Sequence, residues 1–311
     1  MAITTQISED AYCPCGSGEI FTGCHGKLSP DAGHSIDRRS SIIDAFTFFK
    51  ETEILQLRLE LLWEVVDKFV IVEANRTHSG EKKPFIFPDL ANSTLKEYRS
   101  KIVYHPVHFD IDGFDFDVKL SEYNPRSAHW KLENAQRNEI DHACREFSPF
   151  DVLMISDADE IPDPNVLKGI FSEPSLLEKL PLSLQQHLFY YKLKYLRNEQ
   201  WIGSVVTTVG KSRARSAHWH RAHRDMFPVF SAAAGWHLSY FGGLENIKRK
   251  LESFAHQEFN NSTFKSNDHI ERCLENGSDL YGRPVDATYV SEAFFPKYFS
   301  DLVNRRKEFF W

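Results

Sequence analysis

An acidic segment directly after an apolar run is the first feature of this sequence that could carry out chemistry. Asp157 and Asp159 stand one residue apart, immediately after the apolar residues 152–155. Two carboxylates this close repel each other, but together they supply oxygen ligands of the kind that Mg2+ and Mn2+ bind. Such an ion could bind a diphosphate and stabilise it as a leaving group. The other interpretation is an acidic turn in solvent.

Three further residues could complete a site of this kind. His237 and His256 could each add a metal ligand, and each could equally be a hydrogen-bonded structural residue. Glu245 follows Gly242 and Gly243, which permit close backbone approach to a ligand. Its carboxylate is either a general base or a simple charge in the first turn of a helix.

A basic stretch carries histidines and arginines together. It could meet a pyrophosphate, or it could be a solvated loop. Its members are Arg213, Arg215, His218, His220, Arg221, His223 and Arg224.

A second reactive cluster lies near the N-terminus. Cys13, Cys15, Cys24 and His25 supply three thiolates and one imidazole, the donor set of a tetrahedral Zn2+ ion. All four coordination positions would be filled, so the predicted site is structural. The segment 10–27 resembles the SEC-C zinc motif, a short appendage of many otherwise unrelated proteins. That resemblance implies a structural zinc ion and a protein partner.

The composition is that of a folded protein. The 311 residues are 41% hydrophobic and 26% charged, which excludes collagen-like and fully disordered chains. No apolar run approaches the ~20 residues of a membrane span, and the first residues do not form a signal peptide. We therefore expect a cytoplasmic protein. The net charge of −7 argues against a general nucleic-acid-binding surface.

The elements that must position these residues are an alternation of strands and helices. The pattern predicts an α/β domain over 40–311 with a mainly parallel central sheet, preceded by a linker at 28–39. Ligands of such sheets bind beyond the carboxyl ends of the strands, which is where the acidic segment falls. The predicted strands are 42–49, 68–73, 102–104, 151–156 and 184–191, and the predicted helices are 51–66, 130–145, a segment after Pro164, and 245–254.

Blocks of sequence in this order resemble glycosyltransferase family 17. The resemblance implies a GT-A-like fold in one large domain, in which the two acids bind a UDP-sugar through a divalent metal. The founding activity of the family adds the bisecting N-acetylglucosamine to the core mannose of N-glycans. The blocks are 44–49, 58–59, 69–80, 136–138, 157–162, 235–237 and 253–259.

The resemblance implies a metal-dependent, inverting glycosyltransferase. Its donor would be UDP-N-acetylglucosamine, and its acceptor a glycan or another hydroxyl compound. A nucleotide-sugar-binding or partner-docking module without turnover and a nucleotide-sugar hydrolase remain alternatives, and Ile161 and Pro162 weaken a haloacid-dehalogenase-type phosphatase. On this interpretation we expect Asp157 and Asp159 to bind Mn2+ or Mg2+, with His237 or His256 as a further ligand. We expect Glu245 to be the base, with Asp159 at the reaction centre. We expect Glu73 and Arg137 to lie with Asp157 near the nucleotide or sugar.

Overall fold

The computed structural model describes residues 40–116, 124, 126–230, 233–284 and 287–311. The predicted zinc motif at 10–27 and the linker at 28–39 lie outside the described residues. This includes the four predicted zinc ligands, Cys13, Cys15, Cys24 and His25.

Strands and helices alternate through the first half of the described chain. No helix within the described ranges is long and apolar enough to cross a membrane. The strands are β1 (Ile42–Thr47), β2 (Lys68–Ala74), β3 (Ile102–Val107), β4 (Val152–Asp157), β5 (Glu160–Pro162), β6 (Leu182–Tyr190), β7 (Tyr195–Arg197), β8 (Trp201–Thr208), β9 (Val229–Phe230), β10 (Gly235–Ser239) and β11 (Ala287–Tyr289). The helices are α1 (Thr52–Leu62), α2 (Phe87–Asn92), α3 (Ala128–Ala143), α4 (Pro164–Ser172), α5 (Pro174–Leu177), α6 (Val209–Arg215), α7 (Ala217–Ala222), α8 (Gly243–Ser253), α9 (Asn267–Asn276), α10 (Lys297–Val303) and α11 (Lys307–Phe310).

Four parallel strands, in the order β3-β2-β1-β4, lead to the acidic segment. Their β-branched and aromatic side chains favour strands, and both faces of this part of the sheet are covered. On one face Phe46 packs with the apolar residues of α1, including Leu55. On the other, Ala45 and Leu153 pack with Ile140 of α3. The predicted α/β class is therefore confirmed.

Beyond β4 the sheet contains both antiparallel and parallel pairs. β8 pairs antiparallel with both β4 and β6. Only the short strand β7 separates β6 from β8 along the chain, and parallel neighbours would need a long crossover connection. β9 and β10 pair parallel with β6. The sheet is therefore mixed, and the parallel arrangement expected from sequence holds throughout its first four strands and recurs around β6.

Candidate active site

A cavity of about 790 Å3 opens at the carboxyl ends of β1 and β4. Thr47 at the end of β1 pairs with Asp157 at the end of β4. The segments that follow the two strands therefore border the same space. This is the edge at which open α/β sheets bind their ligands.

The Asp157 carboxylate lies between two arginines. Its Oδ1 accepts a hydrogen bond of 3.0 Å from Nη2 of Arg137, and its Oδ2 accepts one of 3.1 Å from Nη2 of Arg221. Burial alone would raise the pKa of Asp157, but the two guanidinium charges hold it well below its usual range. Asp157 is therefore an anion at neutral pH and a weak base.

Asp159 has a different set of basic partners. Nζ of Lys250 donates to its Oδ2 at 2.8 Å, and Nε2 of His237 lies 3.6 Å from its Oδ1. The opposing charge of Lys250, with a smaller contribution from His237, lowers the pKa of Asp159 despite burial. Asp157 and Asp159 are thus each neutralised by side chains from other elements.

Arg58 of α1 fixes the turn that carries these acids. Its guanidinium is fully buried and donates to both carboxylate oxygens of Asp44, at 2.6 and 2.7 Å. Its Nη1 donates to the carbonyl oxygens of Asp157 and Glu160, at 3.0 and 2.8 Å. Because one rigid side chain holds two backbone carbonyls, it determines where the acidic turn lies relative to β1.

Glu160 is also fully buried and organises the neighbouring side chains. Its Oε1 accepts hydrogen bonds from Nη2 of Arg221 and, at 2.8 Å, from Nε1 of Trp201. The Trp201 ring in turn lies 4.4 Å from the His237 ring, measured between centroids. Glu160 therefore positions an arginine, an aromatic ring and, through that ring, a histidine at the cavity.

A backbone pairing brings His237 to the acidic turn. β10 runs antiparallel to β5, with His237 opposite Glu160 and Gly235 opposite Pro162. The φ angle of Gly235 is +140°, and a Cβ atom there would lie 2.2 Å from the carbonyl oxygen of Ile161. Only glycine allows this approach, so Gly235 is needed to place His237.

The basic stretch is divided between the cavity and solvent. Arg221 is buried at the cavity, and its Nε and Nη1 have no hydrogen-bond partner among the described residues. His218 also lines the cavity, where burial and then the charge of Arg137 lower its pKa to about 4. Arg215 is exposed. The stretch therefore supplies the cavity with a permanent cation and a neutral histidine at pH 7.

The donor set does not fit a divalent ion in this arrangement. Within the described ranges, no group of three or more His, Cys, Asp or Glu side chains could hold a metal. Both oxygens of Asp157 accept hydrogen bonds from arginines, and Asp159 pairs with Lys250. A metal ion would have to displace these cations, so metal binding here stays a prediction.

Two residues predicted for the site, His256 and Glu245, do not contact Asp157 or Asp159 in the described structure. His256 lines the cavity, but its Nδ1 lies 2.7 Å from Oε1 of Glu258, and its ring packs against Trp130. Glu245 is 75% exposed, is not among the residues lining the cavity, and lies 4.0 Å from Lys248. The structure therefore does not bring either side chain to the pair of acids.

Glu73 is fully buried and does not line the cavity. Its carboxylate accepts hydrogen bonds from the backbone N atoms of Ile86 and Phe87 and from the Tyr104 hydroxyl. It therefore anchors the start of α2. Its position supports a structural role, and the predicted contact with the donor has no support from the described geometry.

Lys250 and Glu51 are cavity residues that the sequence interpretation missed. Lys250 lies on α8, the helix predicted at 245–254, but an isolated lysine in an amphipathic helix carries no sign of its partner. Glu51 stands at the start of α1, directly after a strand end. Its place after β1 could have identified it as a cavity residue, because β1 and β4 end at the same edge of the sheet.

Comparisons with known proteins identify the family to which this sequence is similar. The model of the family described as glycosyltransferase family 17 matches residues 31–295. The rat and human proteins named beta-1,4-mannosyl-glycoprotein 4-beta-N-acetylglucosaminyltransferase are each 32% identical over 127 residues, which is 39% of this chain. The matched stretch covers 21% of the rat protein and 22% of the human protein, so the chain spans about a fifth of these curated relatives.

A solved structure, the apo form of the bifunctional glycosyltransferase WbbM, gives a TM-score of 0.31 at 12% identity, over 65% of this chain and 39% of that chain. The family model, by contrast, spans most of this sequence, including all the cavity residues described above. The chain belongs to glycosyltransferase family 17.

Proposed function

We propose that this protein transfers a sugar from a nucleotide-sugar donor to a hydroxyl group, with inversion at the anomeric carbon. The donor is UDP-N-acetylglucosamine, and the acceptor is a glycan or another hydroxyl compound. The observation that carries the proposal is the cavity at the end of β4, where acids and permanent cations meet in a member of a glycosyltransferase family.

The identity of the sugar is supported by the curated relatives. Their name describes transfer of N-acetylglucosamine to a mannosyl glycoprotein. Because the matched stretch covers about a fifth of those proteins, the donor and acceptor of this chain are part of the proposal. A GT-A-like arrangement of the donor site belongs to it as well.

The basic side chains suit a diphosphate. Arg137, Arg221 and Lys250 line the cavity. Arg221 has two buried donors, and Arg137 one at its Nε, that find no hydrogen-bond partner among the described residues. An unpaired buried donor costs free energy that an anionic oxygen could recover. These cations would stabilise the negative charge that develops on a departing diphosphate.

Aromatic rings at the cavity suit the sugar. Trp201, Tyr240, Tyr281 and Phe254 all line it. The flat face of an aromatic ring packs well against the apolar face of a pyranose. The cavity therefore contains surfaces for both the charged and the uncharged part of a nucleotide sugar.

Metal dependence needs a test of its own. An ion that joins Asp157 and Asp159 to the diphosphate has to replace their contacts with Arg137, Arg221 and Lys250. Titration of UDP-N-acetylglucosamine with and without Mn2+ measures this directly. If the protein depends on a metal, Mn2+ should strengthen donor binding by the wild type and should not strengthen donor binding by Asp159→Ala. Donor binding that EDTA leaves unchanged would contradict metal dependence.

The test of the function is product analysis by mass spectrometry. The purified protein is incubated with UDP-N-acetylglucosamine and a panel of mannosides and other sugars. Sugar attached to an acceptor supports the transferase, and a β linkage supports inversion. Free N-acetylglucosamine alone means a hydrolase. Donor binding without either product means a binding module.

A further inference from the structure

Inverting transfer requires a group that takes a proton from the acceptor hydroxyl, and most acids at the cavity are unsuited to this. Asp157 and Asp159 are bound by cations, as described above. Glu133 pairs with Arg137 at 3.0 Å, and Glu258 lies 2.7 Å from His256. A carboxylate that is stabilised by a cation binds a proton weakly, which makes it a poor base.

Glu51 differs from these acids in its surroundings. It lines the cavity and is half-buried. Its Oε2 accepts a hydrogen bond of 3.1 Å from the backbone N of Phe49. No Lys, Arg or His nitrogen in the described part of the chain forms an ion pair with its carboxylate. Glu51 is thus held in place by backbone and keeps its capacity to accept a proton.

The chain makes an unusual turn to place this side chain. β1 ends at Thr47, opposite Asp157. Lys50 then adopts a φ of +64°, which is uncommon for a residue with a side chain, and α1 begins directly after Glu51. Backbone in such a conformation costs free energy and is concentrated at functional sites. The turn sets Glu51 at the same edge of the sheet as the two acids.

We propose that Glu51 is the catalytic base of the transfer reaction, which makes this assignment dependent on the proposed function. The Glu51 carboxylate takes the proton of the acceptor hydroxyl. The acceptor oxygen forms a bond to the anomeric carbon. The bond from that carbon to the diphosphate oxygen breaks, and its electron pair leaves with the nucleoside diphosphate.

The electrostatic environment of Glu51 agrees with this role. Burial raises the pKa of Glu51 to about 7, and the negative charge of Asp159 adds to the increase. The positive charge of Lys250 opposes it, and the charge of Lys83 also interacts with Glu51. A base is most effective when its pKa lies near the working pH. Turnover is therefore expected to rise with pH through about 7, as Glu51 loses its proton.

The closing experiment uses the full-length protein and UDP-N-acetylglucosamine, with water and with methyl β-mannoside as acceptors. The variants are Glu51→Gln, Glu51→Ala and, as a control, Glu64→Gln, an exposed glutamate just beyond α1. Calorimetry measures donor affinity, and UDP release measures turnover. Azide is added as a second nucleophile, because this anion can attack the anomeric carbon without losing a proton.

We expect Glu51→Gln to bind the donor as the wild type does and to release UDP about 10²- to 10⁴-fold more slowly. Glu64→Gln keeps wild-type turnover. Azide restores UDP release in Glu51→Ala and gives N-acetylglucosaminyl azide. Removal of the carboxylate also abolishes the rise of turnover near pH 7.

Three results would overturn the assignment while leaving the function intact. The first is full turnover in Glu51→Gln, and the second is a loss of donor affinity in Glu51→Gln as large as its loss of turnover. The third is that Glu51→Ala binds the donor but forms no azide product. If Glu53→Gln lost turnover while Glu51→Gln stayed active, Glu53 would be the catalytic base instead of Glu51. A wild-type protein that binds the donor but releases no UDP would overturn both proposals.

Thermal unfolding gives an independent readout. The pKa of Glu51 is raised from 4.5 in folding, so the folded state holds this proton more tightly than the unfolded state does. Its contribution to stability therefore falls as the pH rises from about 4.5 to about 7. The melting temperature of Glu51→Gln minus that of the wild type should therefore be larger at pH 8 than at pH 5. An equal difference at both pH values would contradict the raised pKa.

Discussion

At the scale of residues, charge pairing decides what the acids of the cavity can do. Asp157 is held by Arg137 and Arg221, and Asp159 by Lys250. The consequence is a division of roles. The paired acids orient cations, and Glu51, which forms no ion pair with any residue that the structure describes, is free to exchange a proton. The acidic motif and its place after β4 were predictable from sequence. Lys250 was not, because it lies 91 residues from Asp159 along the chain.

Replacement of Arg221 tests the role of the cations. Arg221→Met should weaken binding of UDP-N-acetylglucosamine by about tenfold or more, because a hydrogen bond to a charged group contributes about 1.5–3 kcal/mol. Isothermal calorimetry measures the affinity, with the melting temperature recorded to follow folding. The control is Arg215→Met, since Arg215 is exposed on the same basic stretch. Equal affinities for the wild type and Arg221→Met would contradict the diphosphate site.

At the scale of elements, the site depends on where strands end and on the long-range pairing of β10 with β5. The alternation of apolar strands and amphipathic helices predicted β1 to β4, α1, α3 and α8 to within a few residues. The pairing of β10 with β5 was not predictable, since both are short and lie far apart in sequence. The helix predicted at 51–66 ends at Leu62. Beyond it, the backbone N atoms of Val65 and Val66 both donate to the carbonyl oxygen of Leu62 and form a turn.

Gly235 provides a test of the β10–β5 contact. Gly235→Ala should lower both stability and turnover, because its Cβ would lie 2.2 Å from the backbone oxygen of Ile161 and β10 would have to move away, with His237. Gly169→Ala is the matched control, since nothing lies within 4 Å of a Cβ there. In the interior of α4 that change should stabilise the protein by up to about 1 kcal/mol. Chemical denaturation compares the two, and similar behaviour would count against the steric argument.

At the scale of the whole molecule, the described chain is an α/β domain whose sheet is parallel from β3 to β4 and mixed beyond β4, and both parts line the cavity. The parallel part supplies Asp157, Asp159 and Glu51, and the mixed part supplies Trp201 and His237. Sequence predicted the parallel part because βαβ units have a local pattern. The mixed part also depends on pairings between strands far apart in the chain, such as β5 with β10, and that information is not local.

The predicted zinc motif can be tested separately from the donor site. Metal analysis of the purified chain should find one zinc ion per molecule, as three thiolates and one imidazole would bind it. Cys13→Ser should lose the zinc and keep affinity for UDP-N-acetylglucosamine, because the cavity is built from residues 47–309. Cys144→Ser is the control, since Cys144 is a buried free cysteine of the described domain. A zinc-free wild-type protein would refute the motif.

The most direct test of the central claim is a calorimetric titration of UDP-N-acetylglucosamine, with UDP release followed in the same samples, for the wild type and Asp159→Ala. We predict saturable binding with release of UDP by the wild type, and loss of turnover in Asp159→Ala. The absence of binding to UDP-N-acetylglucosamine and to other nucleotide sugars, with or without Mn2+, would contradict the assignment of the cavity as a donor site.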